Sequence, residues 1–310
     1  MSPSLIVVKP GPLSLIQDTG RPGLASIGVG RSGAADRGAY ALANRLAGNA
    51  PGVAAIECTF GGLAVRAQGD VRVAITGASC PATVDGDSAP HEAVIDLQDG
   101  QTLALRTPTS GLRSYLAVRG GIDVPAVLGS RSTDTLAGLG PAALRRGDDL
   151  PIGSDWLDSE PSDTPADSPD STRDVLTLRA ILGPRDDWFV TPADLGGGDW
   201  VVSPRSNRVG LRLDRPAPAE HDNDPQQPRA LRRKDSRELP SEGVVLGAVQ
   251  VPPSGQPVLF LADHPMTGGY PVIAVVLDSD IDLAAQARPG QRLRFKLQPA
   301  GDSGRTRARD

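Results

Sequence analysis

The chain of 310 residues has few cysteines, few aromatic residues and no long apolar run. Its two cysteines, Cys58 and Cys80, are too few for a disulfide framework, and we expect both to be reduced and buried. No apolar run approaches the roughly 18 residues of a membrane-spanning helix, and no charged segment followed by an apolar one opens the chain. We therefore expect a soluble, cytoplasmic protein.

Several common kinds of site lack their sequence signals. The three histidines lie far apart, and His264 beside Asp263 is a poor chelating pair because neighbours on a strand face opposite ways, so we predict no metal. The chain contains no G-K-[ST] phosphate loop and no G-x-S-x-G nucleophile elbow. A G-x-G-x-x-G stands at residues 28–33, but a Pro-Gly interrupts the sequence before it and no helix opens within it, which argues against a dinucleotide fold.

The charge of the chain excludes another class of function. The net charge is −5, and only three of the 32 basic residues are lysines. A nucleic-acid-binding domain is typically basic, so we expect no nucleic-acid partner. Nothing in the chain predicts a membrane partner either.

Glycine, proline and alternating apolar residues predict a mainly β protein. The 36 glycines and 29 prolines favour short strands and turns over long helices. Residues 70–76 alternate apolar and other side chains, and residues 101–107 follow an Asp99-Gly100 turn, as in a hairpin. Further strands are predicted at residues 175–182, 258–262 and 272–277.

Two helices are predicted. The first has Asp36 as N-cap, Gly48 near its C-cap and an apolar face spaced i, i+3, i+4, i+7. The second covers residues 280–286 and is stopped by Pro289-Gly290.

An acidic, proline-containing stretch divides the chain into two halves. Residues 153–174 contain too little apolar surface to offset the entropy of ordering, so we interpret them as a flexible linker. The predicted organisation is two β domains, at residues 1–152 and 175–298, with a flexible loop at 215–239 and a disordered tail at 299–310. Similar motifs in the two halves suggest a duplication, with a cleft between two similar barrels.

Two clusters of residues are candidates for anion binding. A glycine-rich turn near Arg21 can present backbone N–H groups to an anion, or can be a tight connection that needs positive φ. Asp36 beside it is interpreted first as a helix cap. Residues 203–214 concentrate arginines, and a strand with Arg208 and Arg212 on one face would fit a carboxylate or phosphate. Cys58 is predicted to be a core residue and the neighbouring Glu57 to face solvent or a cleft.

Taken together, six stretches resemble one family. They are "LSLIQDTGRPGLASIGVGRSGAADRGAYALANRLAGN", "AIECTFGGLAVR", "YLAVRGGIDVPAVLGSRSTDTLAGLG", "SNRVGLRL", "SEGVVLGAVQVPPSGQPVLFLADHPMTGGYP" and "AQARPGQRLRF". The sequence is similar to the biotin-dependent carboxyltransferase family, which includes KipA, the C subunit of 5-oxoprolinase and a domain of urea amidolyases. The resemblance implies two tandem cyclophilin-like β-barrel domains with a few short helices.

The resemblance also implies a function and partners. It implies the C subunit of an ATP-dependent 5-oxoprolinase that opens 5-oxo-L-proline to L-glutamate and is active only in complex with the A subunit and a KipI-like B subunit. ATP with magnesium is expected in the complex, on a component that the sequence does not identify, and this chain has no biotin attachment site. Two alternatives are a KipA-like antagonist of a KipI-like kinase inhibitor and the carboxyltransferase component of a biotin-dependent urea carboxylase or allophanate hydrolase system.

With the resemblance, the sequence predicts a cleft whose walls are formed by three stretches, residues 17–36, 206–213 and 261–272. The predicted catalytic residues are Asp263, Thr267, Tyr270 and Arg208. The predicted substrate- or anion-binding residues are Arg21, Ser32, Gly33, Asp36, Ser206, Asn207, Arg212, Gly268 and Gly269. Asn207 stands where the family usually has aspartate and His264 where arginine is commoner, and Asn207 is the change we expect to alter the chemistry.

Overall fold

The computed structural model describes residues 3–157, 174–216, 231–234 and 237–299. Most of the predicted linker, loop and tail therefore lie outside the described residues. The chain divides into two compact units. The first comprises residues 1–173 with two short segments from later in the chain, 262–264 and 285–288, and the second comprises the remainder. Among the described residues no helix is long and apolar enough to cross a membrane.

The described residues of the first unit form eleven strands and one α-helix. A short 3₁₀ turn at Ala25–Ile27 precedes the helix. The elements are β1 (Ser4–Pro10), β2 (Leu13–Gln17), α1 (Arg37–Ala47), β3 (Ala55–Thr59), β4 (Leu63–Gln68), β5 (Val71–Ser79), β6 (Ala82–Val84), β7 (Asp87–Ala89), β8 (Val94–Leu97), β9 (Thr102–Leu105), β10 (Ser110–Val118) and β11 (Asp149–Pro151).

The strands of the first unit form two sheets. The six-stranded sheet has the order β11-β1-β4-β9-β6-β7 and the five-stranded sheet has the order β2-β3-β10-β5-β8. The inner faces of both sheets supply the main core, with Leu5, Val65 and Leu103 from one sheet and Ile56 and Leu116 from the other. The predicted Asp99-Gly100 turn joins β8 to β9, which lie in different sheets, so the hairpin expectation was wrong.

Helix α1 covers the outer face of the five-stranded sheet. Asp36 accepts a hydrogen bond from the Ala39 amide at 2.9 Å, and Gly48 ends the helix in the left-handed conformation. The alanine-rich face of the helix packs on Ala74, Tyr115 and other buried residues of the sheet. The predicted helix and both of its caps are confirmed.

The second unit is built around a closed barrel. Its seven strands follow the order β12-β19-β16-β17-β14-β13-β20, and parallel pairing of β12 with β20 closes the ring. The elements from this part of the chain are β12 (Val175–Leu182), β13 (Asp199–Val202), β14 (Gly210–Asp214), β15 (Glu242–Gly243), β16 (Ala248–Gln250), β17 (Val258–Phe260), β18 (Thr267–Gly268), β19 (Val272–Val276), α2 (Ile281–Ala285) and β20 (Arg292–Gln298), with 3₁₀ turns at Asp186–Trp188, Pro192–Leu195 and Asp278–Asp280.

Alternation along the first barrel strand explains why it forms part of a closed sheet. Leu176, Leu178 and Ala180 are fully buried on one face of β12. Arg179 points the other way and forms an ion pair with Asp280 at 2.5 Å. A mainly β protein with a barrel in its second half is thus confirmed, whereas a second barrel in the first half stays a prediction.

Candidate functional site

Two loops of the first unit pack backbone against backbone beside α1. The Arg21 amide donates to the Arg31 carbonyl at 2.8 Å, and the Ala34 amide donates to the Asp18 carbonyl at 2.9 Å. A Cβ atom on Gly20 would lie 2.3 Å from the Arg31 carbonyl oxygen, and Gly20 has φ of +82°. Gly33, with φ of +95°, would clash in the same way with the opposite loop. The predicted glycine-rich turn is therefore a close approach of two segments of the chain, and it needs glycine at both Gly20 and Gly33.

A buried carboxylate, Asp18, fastens this pair of loops to residues 130–132. One carboxylate oxygen accepts from the Ser130 hydroxyl at 2.6 Å, the Ser132 hydroxyl at 2.5 Å and the Gly20 amide at 2.7 Å. The other oxygen accepts from the Arg131 amide at 2.6 Å. Four donors on one buried carboxylate fix the path of the segment, since each lost bond would leave a desolvated polar group.

Asp263 belongs to the first unit and links two of its loops. Its side chain is buried and accepts from the Ser32 hydroxyl at 2.7 Å. Its second oxygen accepts from the amide of Thr135 at 3.0 Å and from the hydroxyl of the same residue at 2.7 Å. Both oxygens are engaged by donors, so the arrangement favours a carboxylate that positions Ser32 over one that waits as a free base.

Arg21 is also buried, at 1% exposure, and its guanidinium contacts carbonyl groups. One terminal nitrogen donates to the Ser132 carbonyl and Nε donates to the Val127 carbonyl at 3.4 Å. Its other terminal nitrogen has no hydrogen-bond partner among the described residues. Arg21 and Ser32 bond to neighbouring residues of one segment, because the Ser32 hydroxyl donates to the Thr133 carbonyl at 3.2 Å and Arg21 contacts the Ser132 carbonyl.

Asp36 is held as a cap and by a glutamine side chain. While one of its oxygens caps α1, the other accepts from Gln286 Nε2 at 2.7 Å. The Gln286 side-chain oxygen accepts the amides of Leu112 and Arg113 at 2.8 and 2.9 Å. Gln286 lies in the segment 285–288 that belongs to the first unit. This geometry supports the interpretation of Asp36 as a structural cap.

Glu57 is buried, so the expectation that it faces solvent or a cleft was wrong. Its carboxylate accepts from the Tyr115 hydroxyl at 2.8 Å and the Ala35 amide at 2.9 Å, with Arg113 Nε at 3.6 Å. Burial raises the pKa of the Tyr115 hydroxyl well above its ordinary value, and the negative charges of Glu57 and Asp36 raise it further. Tyr115 therefore stays protonated and serves as a donor.

The arginine-rich stretch of the second unit forms a turn before β14. The Asn207 side-chain oxygen accepts from the amides of Val209 and Gly210 at 2.9 and 3.3 Å. An aspartate would offer the same acceptor oxygen, so the departure from the family at Asn207 leaves the turn intact. Ser206 Oγ accepts from the Arg212 amide at 3.0 Å. Arg208 precedes the strand and is buried whereas Arg212 is exposed, so the two do not share a strand face.

Four further predicted site residues lie at or next to β18, in the second unit. Thr267 is exposed, and Tyr270 is 46% exposed. Neither Gly268 nor Gly269 adopts the left-handed conformation, so the backbone angles at these two positions do not require glycine. A Cβ on Gly268 would lie 2.2 Å from Gln250 Nε2. The absence of a side chain at Gly268 therefore leaves room for Gln250, whose Nε2 donates to the Tyr270 carbonyl at 2.9 Å.

The structure thus gathers part of the predicted site within one unit. Arg21, Ser32 and Asp263 share one hydrogen-bonded cluster in the first unit, and Gly33 packs closely against Gly20 beside it. The sequence interpretation missed the segment 130–135, which bonds to Asp18, Arg21, Ser32 and Asp263. Four of its six residues carry hydroxyl groups, and this density of hydroxyls is the signal that could have identified it. The remaining predicted residues, apart from Asp36, lie in the second unit.

Metal-binding residues do not cluster in the described part of the chain. No group of three or more histidine, cysteine, aspartate or glutamate side chains is placed to hold an ion there. Cys58 and Cys80 are free and buried, as expected. Burial raises the pKa of the Cys58 thiol, and burial raises that of Cys80 to about 11, so neither is a ready nucleophile.

Comparison with known proteins gives consistent results over nearly the whole chain. Residues 27–297 match the family described as carboxyltransferase domain, subdomain A and B. The chain is 37% identical to the C subunit of 5-oxoprolinase from Escherichia coli, over 94% of this chain and 90% of that protein. It is 33% identical to the corresponding 5-oxoprolinase subunit of Haemophilus influenzae, over 95% and 91% of the two chains. The crystal structure of Kluyveromyces lactis urea amidolyase matches with a TM-score of 0.85 and 29% identity, over 95% of this chain and 19% of that one.

Proposed function

The chain belongs to the carboxyltransferase domain family, and we propose that it is the C subunit of a 5-oxoprolinase. The observation that carries the proposal is the match to two 5-oxoprolinase C subunits over at least nine-tenths of their lengths as well as of this chain. A match that spans both proteins end to end supports a shared role more strongly than a shared domain does. The urea amidolyase match covers about a fifth of the larger protein and supports the family rather than the activity.

The proposed reaction is hydrolysis of 5-oxo-L-proline to L-glutamate. One water adds to the lactam carbonyl carbon and the ring C–N bond breaks to leave a free amine. A second water is consumed as ATP is converted to ADP and phosphate, which drives the opening of a stabilised amide. Transfer of a phosphoryl group to the carbonyl oxygen would require donors that stabilise negative charge. Arg212 and Thr267 are exposed side chains of the second unit that could supply donors.

Partners and cofactor form part of the same proposal. We expect activity only when the chain is assembled with the A subunit and a KipI-like B subunit of the enzyme. ATP with magnesium would bind in that assembly, on a component still to be identified. Two cyclophilin-like barrels and a cytoplasmic location complete the proposal, and the closed barrel of the second unit supports the first of these.

The test is reconstitution of the complex. The chain is co-expressed with the A and B subunits from the same genome, and glutamate release from 5-oxoproline is measured with and without ATP. We expect ATP-dependent release that disappears when this chain is omitted. An assembly of all three proteins that releases no glutamate would contradict the proposal.

One substitution asks whether the predicted catalytic residues take part. Tyr270→Phe removes one hydroxyl from a side chain that is 46% exposed, so folding is expected to be unaffected. If the hydroxyl stabilises charge in the transition state, the turnover rate falls by about 10²-fold or more. Tyr40→Phe, which removes the hydroxyl that donates to the Val53 carbonyl, measures the effect of losing a structural hydroxyl elsewhere.

A further inference from the structure

A groove of about 660 Å³ lies in the first unit, and none of the site residues predicted from the sequence lines it, although Arg131 belongs to the neighbouring segment 130–135. It is lined by the side chains of Arg72, Arg119 and Arg131, by three aspartates, and by Trp156. The size is within the range of small-molecule sites, about 300–1,000 Å³. All of its lining residues belong to the first unit, so the groove is complete within it.

Close backbone packing fixes one wall of the groove. A Cβ on Gly120, whose φ is +96°, would lie 2.2 Å from the Gly153 carbonyl oxygen, and a Cβ on Gly153 would lie 2.8 Å from the Gly120 carbonyl oxygen. The amides of Gly153 and Asp155 donate to carbonyls of residues 121 and 120 at 3.0 and 3.3 Å. Arg119 and Trp156 are therefore held on neighbouring, hydrogen-bonded strips of backbone.

Two of the three arginines are already paired with carboxylates. Arg72 Nε lies 2.9 Å from Asp96, and an Arg131 terminal nitrogen lies 2.8 Å from Asp123. Arg119 is different, because its guanidinium donates to the Leu157 carbonyl at 3.3 Å and pairs with no carboxylate among the described residues. Among the described residues its Nε and Nη1 donate to no other group, and Nη1 together with the second N–H of Nη2 can form a two-point contact with an anion.

The indole of Trp156 adds an apolar flat surface to the same groove. Its side chain is 44% exposed, so part of the ring surface is accessible among the described residues. An aromatic face beside a guanidinium suits a ligand that stacks a flat ring and carries negative charge.

We propose that this groove binds an anionic ligand with a flat ring, of about the size of a mononucleotide. Arg119 would hold the anionic group by charge-assisted hydrogen bonds, and Trp156 would stack on the ring. Arg131 would add a second guanidinium whose present partner, Asp123, competes with the ligand. The proposal concerns the chain by itself and does not depend on its belonging to a 5-oxoprolinase.

The experiment is a calorimetric titration of the full chain with AMP, in low salt at pH 7.5. Adenosine and inorganic phosphate are titrated separately to test the ring and the anion alone. We expect AMP to bind with a dissociation constant below about 1 mM and each of the two fragments to bind more weakly. Equal binding of inorganic phosphate and AMP would contradict the role of the ring, and absence of AMP binding at 5 mM, a concentration about fivefold above the expected limit, would overturn the proposal.

Three substitutions separate this site from general damage. Arg119→Gln should weaken AMP binding by about tenfold or more, because a charge-assisted bond is lost. Trp156→Ala should also weaken it, whereas Trp156→Phe keeps a ring and should restore most of the affinity. Asp123→Asn should strengthen binding by about two- to fivefold, since it releases Arg131 from an exposed ion pair. Damage to the fold would not produce a gain, so the opposing directions are the decisive result.

The matched control is Arg146→Gln, which removes an exposed arginine that does not line the groove. Its affinity for AMP should equal that of the unchanged chain. If Arg119→Gln and Arg146→Gln have the same effect, AMP is attracted by surface charge and the groove is not its site.

Discussion

Asp263 illustrates how one buried carboxylate organises the chain around it. It was predicted to be catalytic with the help of the family resemblance, and that role stays a prediction. Its geometry adds a second role, since its two oxygens accept hydrogen bonds from the Ser32 hydroxyl and from the amide and hydroxyl of Thr135. The segment that supplies Thr135 is more than 120 residues away in sequence, which is why local patterns could not reveal the contact.

Asp263→Asn tests this positioning role. The amide nitrogen that replaces one oxygen cannot accept a hydrogen bond, so a buried donor is left without its partner. We expect a loss of about 1–3 kcal/mol in the free energy of unfolding, measured by urea denaturation. Asp87→Asn makes the same change at an exposed strand position and should alter stability by less than about 0.5 kcal/mol. Equal losses in the two variants would contradict the role of the buried carboxylate.

Cys80 gives a prediction about pH. Burial raises the pKa of its thiol to about 11, above the value of about 8.5 for an unfolded cysteine. A folded pKa above the unfolded one means that this contribution to stability is fully present below about pH 8.5 and is lost as the pH rises toward the folded value.

The measurement is the free energy of unfolding between pH 7.5 and 10, an interval that contains the ordinary pKa of cysteine, about 8.5. The unchanged chain should lose more stability over this interval than Cys80→Ser, because serine does not ionise there. Parallel curves for the two proteins would show that Cys80 contributes nothing to the pH dependence. Other buried groups affect both proteins alike and cancel in the comparison.

Among the elements, α1 was predicted accurately and the strand pairing was not. Asp36, Gly48 and an apolar face are local signals, and a helix satisfies its backbone hydrogen bonds within itself. Strands often pair with partners that are distant in sequence. Alternation therefore identified β5 but could not indicate that β8 and β9 belong to different sheets. The candidate site follows the same division: Arg21, Ser32, Gly33 and Asp36 were named as candidates from the sequence, whereas the contacts of residues 130–135 required the fold.

The two loops beside α1 allow a matched glycine comparison. Gly20 and Gly28 have similar positive φ, +82° and +78°, but a Cβ on Gly20 would lie 2.3 Å from a carbonyl oxygen and a Cβ on Gly28 would meet nothing within 4 Å. Gly28→Ala should therefore cost only the backbone strain, about 1 kcal/mol. Gly20→Ala should cost about 3 kcal/mol or more because the loops must separate. Thermal unfolding of both variants measures the difference, and equal melting temperatures would contradict the close approach.

At the level of the whole molecule, the first unit is discontinuous in sequence. Residues 262–264 and 285–288 belong to it, and they supply Asp263 and Gln286. The prediction of two domains separated by a linker did not include such segments. Composition shows which stretches are polar, but it does not show where a later stretch of the chain packs into an earlier domain. The boundaries given above for the two domains, residues 1–152 and 175–298, stay a prediction.

A fragment of residues 1–157 tests the importance of the returning segments. It lacks the acceptor for Ser32 and Thr135 and the side chain that bonds to Asp36. We expect the fragment to unfold at a lower urea concentration than the first unit does within the full chain. The measurement is hydrogen exchange at the amides of Leu112 and Arg113, which donate to Gln286 in the full chain. Identical protection of these two amides in the fragment would contradict the expectation.

The late position of Gln286 also sets an order of events during synthesis. A ribosome that has finished residue 173 must still translate more than 100 residues before the segment 285–288 emerges to complete the first unit. At cellular elongation rates this takes on the order of ten seconds. During that interval Gln286 cannot yet accept from the amides of residues 112 and 113 or donate to the second oxygen of Asp36, so the nascent first unit lacks three hydrogen bonds of the finished one.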